Sequence, residues 1–183
     1  MGKDAWIPHG MRTNESIYPR QTGLRPIRDD KAMISVRRCS IDCLYVTGRF
    51  ESLLLAYAEE CGNDAIGTPQ PQVDMYRELV ESGRLVVLGA FNDDLLVGFV
   101  SIAFSVLPHY GKLVAATESM FVDKAYRSSG AGINLLRAAE DEAKYIGAVA
   151  LIVSANVGSQ LAALLEAKKS YVETNRIFTK CLQ

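Results

Sequence analysis

The sequence predicts a mixed α/β domain: a central, mostly antiparallel sheet with helices on both faces. Two observations carry that class. Residues 85–91 and 95–106 are apolar runs around the turn Asn92-Asp93-Asp94, which is the pattern of an antiparallel hairpin. Later, the apolar stretch Met120-Phe121-Val122, a glycine turn, a helix-like segment and the apolar run 148–154 read as a βαβ unit, which requires a parallel strand pair. The element order is β-α-α-β-β-β-α-β-α-β.

Residues 34–39 alternate apolar and polar side chains like a half-buried strand. Phe50, Leu53, Leu54, Tyr57 and Cys61 recur at helical spacing, with Gly62 as the stop. Residues 63–70 hold Gly67 and Pro69 and form a link. A second helix is expected over 71–82, with Pro71 in its first turn and Gly83 at its end. After the hairpin, Pro108-His109-Tyr110-Gly111 is a loop, and 113–122 is another strand. A helix over 130–146 would bury Ile133, Leu136, Ala139, Ala143 and Ile146 and end at Gly147. The nearly all-apolar run 148–154 reads as a central strand covered on both faces. A helix over 159–169 would turn Leu161, Leu164 and Leu165 inward, and 171–181 would supply one or two closing strands.

With 183 residues and 49% hydrophobic content, the chain suits one domain with a sizeable core and an appendage. Residues 1–32 are that appendage. They hold Pro8, Pro19 and Pro26, show no apolar period, and mix six basic with four acidic residues. Such a segment buries no core of its own. It is either an assembly arm, making a homo-oligomer or larger assembly, or a mobile tail ahead of a start near Met33. The net charge of −1 gives no global basic field, so no nucleic-acid partner is expected. No apolar stretch has the length of a membrane span. The N-terminus lacks the apolar core of a secretory signal, and Trp6 stands where a myristoylation motif needs Ser or Thr. Cys39, Cys43, Cys61 and Cys181 sit among apolar neighbours, and neither His9 nor His109 lies near a cysteine pair. Reduced thiols, no metal and a cytoplasmic location are the expectation.

The most informative run is Arg127-Ser128-Ser129-Gly130-Ala131-Gly132, at a strand-to-helix junction. Glycines allow a tight turn and close approach of a ligand. The first amides of the next helix lack intrahelical acceptors and carry the positive end of the macrodipole. A pyrophosphate can occupy that place, with Arg127 adding a full charge. Two better-known glycine loops do not fit. The dinucleotide-binding pattern fails because Arg127 stands at its first glycine and no first βαβ unit precedes it, and a P-loop needs a Gly-Lys-Ser/Thr ending.

The stretch Phe121-Val122-Asp123-Lys124-Ala125-Tyr126-Arg127-Ser128-Ser129-Gly130-Ala131-Gly132 resembles the "FVxPxYRxxGxG" segment of the GNAT superfamily of acyl-CoA-dependent N-acetyltransferases. The resemblance covers residues 33–183 and agrees with the element order. Residues 107–111, 117–119 and 153–159 resemble a subgroup often encoded by bacteriophages, which would place the protein in a host cytoplasm or a virion. The resemblance implies a GNAT-like fold whose strands 4 and 5 splay apart around the pantetheine arm of acetyl-CoA. It implies that Phe121 and Val122 offer main-chain groups to that arm, that Arg127, Ser128, Ser129, Gly130, Ala131 and Gly132 hold the pyrophosphate, and that Asn156 contacts the pantetheine.

The acceptor implied is a primary amine, and a base must free its lone pair. Glu118 is the candidate: it lies within an apolar strand, where many family members place a glutamate and where burial would raise its pKa. The alternative is a strand-edge glutamate paired with a cation. His109 and Tyr110, in a Pro/Gly loop, are further catalytic candidates. Three positions depart from the family pattern. Glu166 stands where many members carry a proton-donating tyrosine, so that task falls to Tyr171, Tyr110 or water, or no acid is needed at all. Lys124 replaces a common proline and Ser170 a common glycine. The readings are therefore an acetyltransferase, a non-catalytic structural or binding subunit of this fold such as a virion part, or a modifier of a host protein.

Overall fold

The computed structural model describes residues 34–63 and 66–182. The predicted arm over 1–32 lies outside the described residues. Five strands form one sheet in the order β1-β2-β3-β4-β5: β1 (Ile34–Cys39), β2 (Leu85–Asn92), β3 (Leu95–Leu107), β4 (Lys112–Val122) and β5 (Leu151–Ile152). The first four pair antiparallel and β4 pairs β5 in parallel. The β2–β3 hairpin turns on Asp93 and Asp94, with Asp93 at φ 54°. Asp is among the few side chains that tolerate this left-handed region.

Helices cover both faces. On one, α4 (Ala131–Ile146) lays Ala131, Leu135, Ala138, Ala139 and Ala143 against Val36, Val86, Leu88, Val100 and Ile102. The buried stripe therefore runs through Leu135 and Ala138, whereas the predicted Ile133 and Ile146 are only half-buried. On the other face, α1 (Ile41–Val46), α2 (Phe50–Cys61) and α3 (Val73–Glu81) cover Leu85, Val87, Phe91, Leu96, Phe99 and Phe121. The sequence reading missed α1. Its only buried positions are Ile41 and Leu44, too few to show a period, and it starts at Ser40, whose side chain caps the Cys43 amide at 3.1 Å.

Helix α3 starts later than predicted. Gln72, at ψ 88°, is still non-helical, so Pro71 lies upstream of the first turn rather than in it. Its end is as expected: Gly83, at φ 71°, donates to Val80 O, and Arg84 donates to Leu79 O, a Schellman closure. Gly147 ends α4 in the same way, donating to Lys144 O while Ala148 donates to Ala143 O.

The C-terminal third departs most from expectation. The predicted central strand 148–154 shrinks to Leu151–Ile152 at the open edge of the sheet, with Ile152 44% exposed. Residues 171–181, expected as closing strands, take part in no strand. Among the described residues no strand lies beyond β5, and it is covered on one face only, where Leu151 packs toward α4. The last helix, α5 (Gln160–Ala167), is capped by Ser159 and half-buries Leu161, Leu164 and Leu165.

Candidate active site at the β4 bulge

The β3–β4 ladder slips at one place. Ser101 pairs with Ser119 and Ile102 with Thr117, so Glu118 is the extra residue of a β-bulge. A bulge bends its strand and re-aims a side chain, and such features cluster beside active sites. The bulge turns Glu118 outward. Its side chain is exposed, which corrects the expectation of a buried carboxylate. Among the described residues it forms no strand-edge ion pair of the kind considered as the alternative. Its Oε2 accepts from Ser101 Oγ at 2.7 Å. Ser101, only 2% exposed, also accepts from the Ser119 amide at 3.1 Å and lies 2.7 Å from Ser119 Oγ.

Two tyrosines from the helical layer complete this environment, and the sequence reading singled out neither for it. Tyr76 of α3 has its hydroxyl pKa raised by burial and by its hydrogen bond to Glu118. Tyr57 of α2 is raised by burial, with smaller contributions from Cys61 and Glu118. The helical spacing of Tyr57 marked it as a core residue. Its ring does pack edge-on to Phe99 and Phe121, at centroid distances of 6.1 Å each. Only the fold shows that its other end approaches Glu118.

Beyond the bulge, β4 loses its partner on one side. Its parallel pairing with β5 is confined to Ala115↔Leu151 and Ala116↔Ile152, yet β4 runs on to Val122. The Ser154 amide donates to Thr117 Oγ1 at 3.2 Å and marks where the two chains part. This is the splay predicted between strands 4 and 5. The Asp123 amide donates to Val97 O, so antiparallel alternation turns the main-chain groups of Phe121 to Phe99, and those of Met120 and Val122 into the gap. Phe121, predicted to offer its main chain to a ligand, instead contributes its ring to the aromatic layer.

At the end of the gap, residues Lys124–Ser129 form a 3-10 turn capped by the Asp123 carboxylate, which accepts from the Ala125 amide at 2.9 Å. Gly130 follows at φ 88°, a conformation that favours glycine, and α4 begins. Ser129 Oγ donates to Tyr126 O and accepts weakly, at 3.3 Å, from the Ala131 amide. Helix geometry leaves the amides of Gly132 and Ile133 without intrahelical acceptors, since the first internal bond runs from Asn134 to Gly130 O. Ser128 is exposed on the turn. Arg127 lies beside this turn, donating from Nε to Val122 O at 3.1 Å and from Nη2 to Glu60 Oε2 at 2.7 Å. That guanidinium, with Lys124 as a weaker partner, holds the Glu60 carboxyl below its usual range.

The remaining predicted residues are not gathered here. His109 and Tyr110 stack on each other, centroids 4.1 Å apart, at the exposed tip of the β3–β4 hairpin. Six steps along the strand separate Lys112 at that tip from Glu118, about 20 Å at the usual rise. Asn156 is exposed in the turn after β5, where its carbonyl accepts from the Ser159 amide. Tyr171 donates to Glu140 Oε1 at 2.7 Å, on the α4 side, and Glu166 is solvent-exposed. Among the described residues no cluster of three metal-ligating side chains occurs.

A family model described as the acetyltransferase (GNAT) family matches residues 49–166, which include the whole bulge, gap and glycine turn. No curated protein matches the chain. Several solved structures are similar. One is an aminoglycoside acetyltransferase from an uncultured soil metagenomic sample, solved with trehalose (18% identity, TM-score 0.65, covering 82% of this chain and 97% of that one). A second aminoglycoside acetyltransferase of metagenomic origin has 19% identity and TM-score 0.63, with 80% and 96% covered. A ribosomal-protein-alanine N-acetyltransferase from Brucella melitensis biovar Abortus 2308 has 21% identity and TM-score 0.61, with 80% and 99% covered. At these identities the likeness is one of fold.

Proposed function

The chain belongs to the acetyltransferase (GNAT) family, and from that premise we propose that it transfers an acetyl group from acetyl-CoA to a primary amine, with Glu118 as general base. The observation that carries the reading is Glu118 on its bulge, beside a gap that opens β4 for a ligand and leads to a glycine turn with outward amides. The residues present fit the donor. The outward groups of Met120 and the outward amide of Val122 would pair with the pantetheine arm, as an added strand would. The amides of Gly132 and Ile133, at the positive end of α4, would take the pyrophosphate. Arg127 would reach it by leaving Glu60.

Acetyl-CoA, when bound, supplies an electrophilic thioester carbonyl and a thiolate leaving group. Glu118 takes a proton from the acceptor ammonium, directly or through water, and frees the lone pair for attack. The Ser101 hydroxyl fixes the carboxylate through Oε2 from a buried position, and Tyr76 adds a second hydrogen bond to it. The task of protonating the leaving group does not fall to Tyr171, whose hydroxyl is engaged with Glu140.

The test is a thermal shift of the full chain with acetyl-CoA, followed by release of CoA thiol with amine acceptors. Saturating acetyl-CoA should raise the melting temperature, since it binds the folded chain. No shift and no thiol release would leave a family fold without its chemistry, the non-catalytic subunit reading.

A further inference from the structure

Between α1–α3 and the sheet lies a pocket on the Glu118 side of β4, and its walls are unlike those of a site for a polyamine. They are aromatic and aliphatic: Tyr45, Phe50, Leu54, Tyr57, Tyr76 and Phe99. The rings are held by mutual edge-on packing, with Tyr45 to Phe50 at 5.2 Å and Phe50 to Phe99 at 5.3 Å. The polar exceptions at the sheet end are Ser101 and Ser119, which are the bulge residues beside Glu118. None of the described residues lining the pocket carries a formal charge.

We propose that this pocket receives the acceptor, and that the acceptor is a hydrophobic primary monoamine: one ammonium on an aromatic or branched aliphatic body. The inference rests on the acetyltransferase reading and deepens it. The charge count decides the class. One carboxylate, Glu118, is hydrogen-bonded to Ser101 at the sheet end of the pocket, so one ammonium can be matched there. A second or third ammonium on the same molecule would lie against apolar walls with no counter-charge, and burying an unpaired charge is costly. The body of a monoamine instead removes its apolar surface from water against these rings. Tyrosine faces also attract the ammonium before Glu118 deprotonates it. The hydroxyl of Tyr76, hydrogen-bonded to the same carboxylate, leaves its ring to line the pocket beside that of Tyr57.

The experiment compares phenethylamine and isoamylamine with spermidine and kanamycin, using the full chain at saturating acetyl-CoA and reading thiol release. Direct binding of phenethylamine is followed by calorimetry without acetyl-CoA. The monoamines should be preferred by about tenfold or more in kcat/KM, and phenethylamine should bind alone. Leu54→Asp, a half-buried wall position, should reverse the order by adding a second carboxylate, and Tyr57→Leu should raise KM for phenethylamine. Both variants are first checked for folding by their acetyl-CoA thermal shift. If acetyl-CoA binds and kanamycin or spermidine is preferred, or phenethylamine does not bind, this inference falls while the acetyltransferase reading stands. If acetyl-CoA does not bind the full chain, the acetyltransferase reading falls and takes this inference with it.

Discussion

The Ser101 hydroxyl donates a 2.7 Å hydrogen bond to Glu118 across the one slip in the β3–β4 ladder, from a site only 2% exposed. The bond ties a buried residue of one strand to the outward residue of its neighbour. Glu118→Gln keeps the shape and removes the basicity. Turnover should fall by about 10²–10⁴-fold, the range for loss of a general base, with acetyl-CoA affinity unchanged by calorimetry. An equal fall in both would make Glu118 a structural residue. Ser101→Ala should act differently. It leaves the Ser119 amide without its acceptor, which should cost about 1–3 kcal/mol of stability in denaturant melts, and should lower turnover less than Glu118→Gln.

Arg127 is engaged with Glu60 at 2.7 Å, so Glu60 competes with any phosphate for the guanidinium. Arg127→Ala should weaken acetyl-CoA binding by about 1–3 kcal/mol, the scale of a hydrogen bond to a charged group. Glu60→Gln should strengthen it, because the competing carboxylate is gone. Isothermal titration of the two variants checks both signs, and a Glu60→Gln variant that binds more weakly would show the ion pair to be needed for the site.

The same pair predicts a pH dependence. Hydrogen bonding to Arg127 lowers the folded-state pKa of Glu60, so its contribution to stability is present above its unfolded pKa of about 4.3 and is lost as pH falls through the folded value. With the Glu60 side chain 35% exposed, solvent screening keeps the effect below about 1 kcal/mol. Melting temperatures of the native chain and Glu60→Gln should differ by a constant amount from about pH 5 upward and converge in more acid buffer. A difference that grows on acidification would reverse the sign and refute the assignment.

Much of this molecule is legible in its sequence where local signals and packing agree. The hairpin around Asp93-Asp94, the long strand into Phe121-Val122 and the helix after Gly130 each carry period, turn residue and cap together. The bulge is not legible. Glu118 reads as one more residue of an alternating strand, and only the pairing of Ser101 with Ser119 and Ile102 with Thr117 shows it to be the extra one. Tyr57 and Tyr76 meet Glu118 across more than 40 residues of chain, a proximity no local pattern encodes. His109 and Tyr110 show the reverse error: their chemistry suits a site, but they sit at the wrong end of β4. The run 148–154 was apolar enough for a central strand, yet strand length depends on partners, and β5 has one only at Ala115 and Ala116.

Thiol accessibility offers a check on the layering of β1 and α1. Cys39 is buried under α1, and burial pushes its thiol pKa up, so little thiolate forms at neutral pH. Cys43 is exposed on α1 itself. Iodoacetamide should label Cys43 within the native state and Cys39 only when the chain unfolds, read by peptide mass spectrometry. Early labelling of Cys39 would mean that the layer of α1–α3 opens in the native state.

Two glycines near the site should fail for different reasons when replaced by alanine. At Gly98 a Cβ would sit 2.7 Å from Phe121 O and 3.2 Å from Val122 Cα, in the close, non-hydrogen-bonded pairing with Val122. Backbone must move, so β4 shifts away from β3 just beyond the bulge. Gly98→Ala should cost about 1–3 kcal/mol of stability and lower turnover with it, since Glu118 rides on the same strand. At Gly130 there is room, the nearest atom being Ile133 Cγ2 at 3.8 Å, but φ is 88°. Gly130→Ala should cost about 1–2 kcal/mol in backbone strain. Relief of that strain would rotate the first turn of α4, so acetyl-CoA affinity should fall while the kcat ratio between native and Glu118→Gln backgrounds stays the same. If Gly130→Ala instead binds acetyl-CoA like the native chain, the amides of that turn do not hold the pyrophosphate.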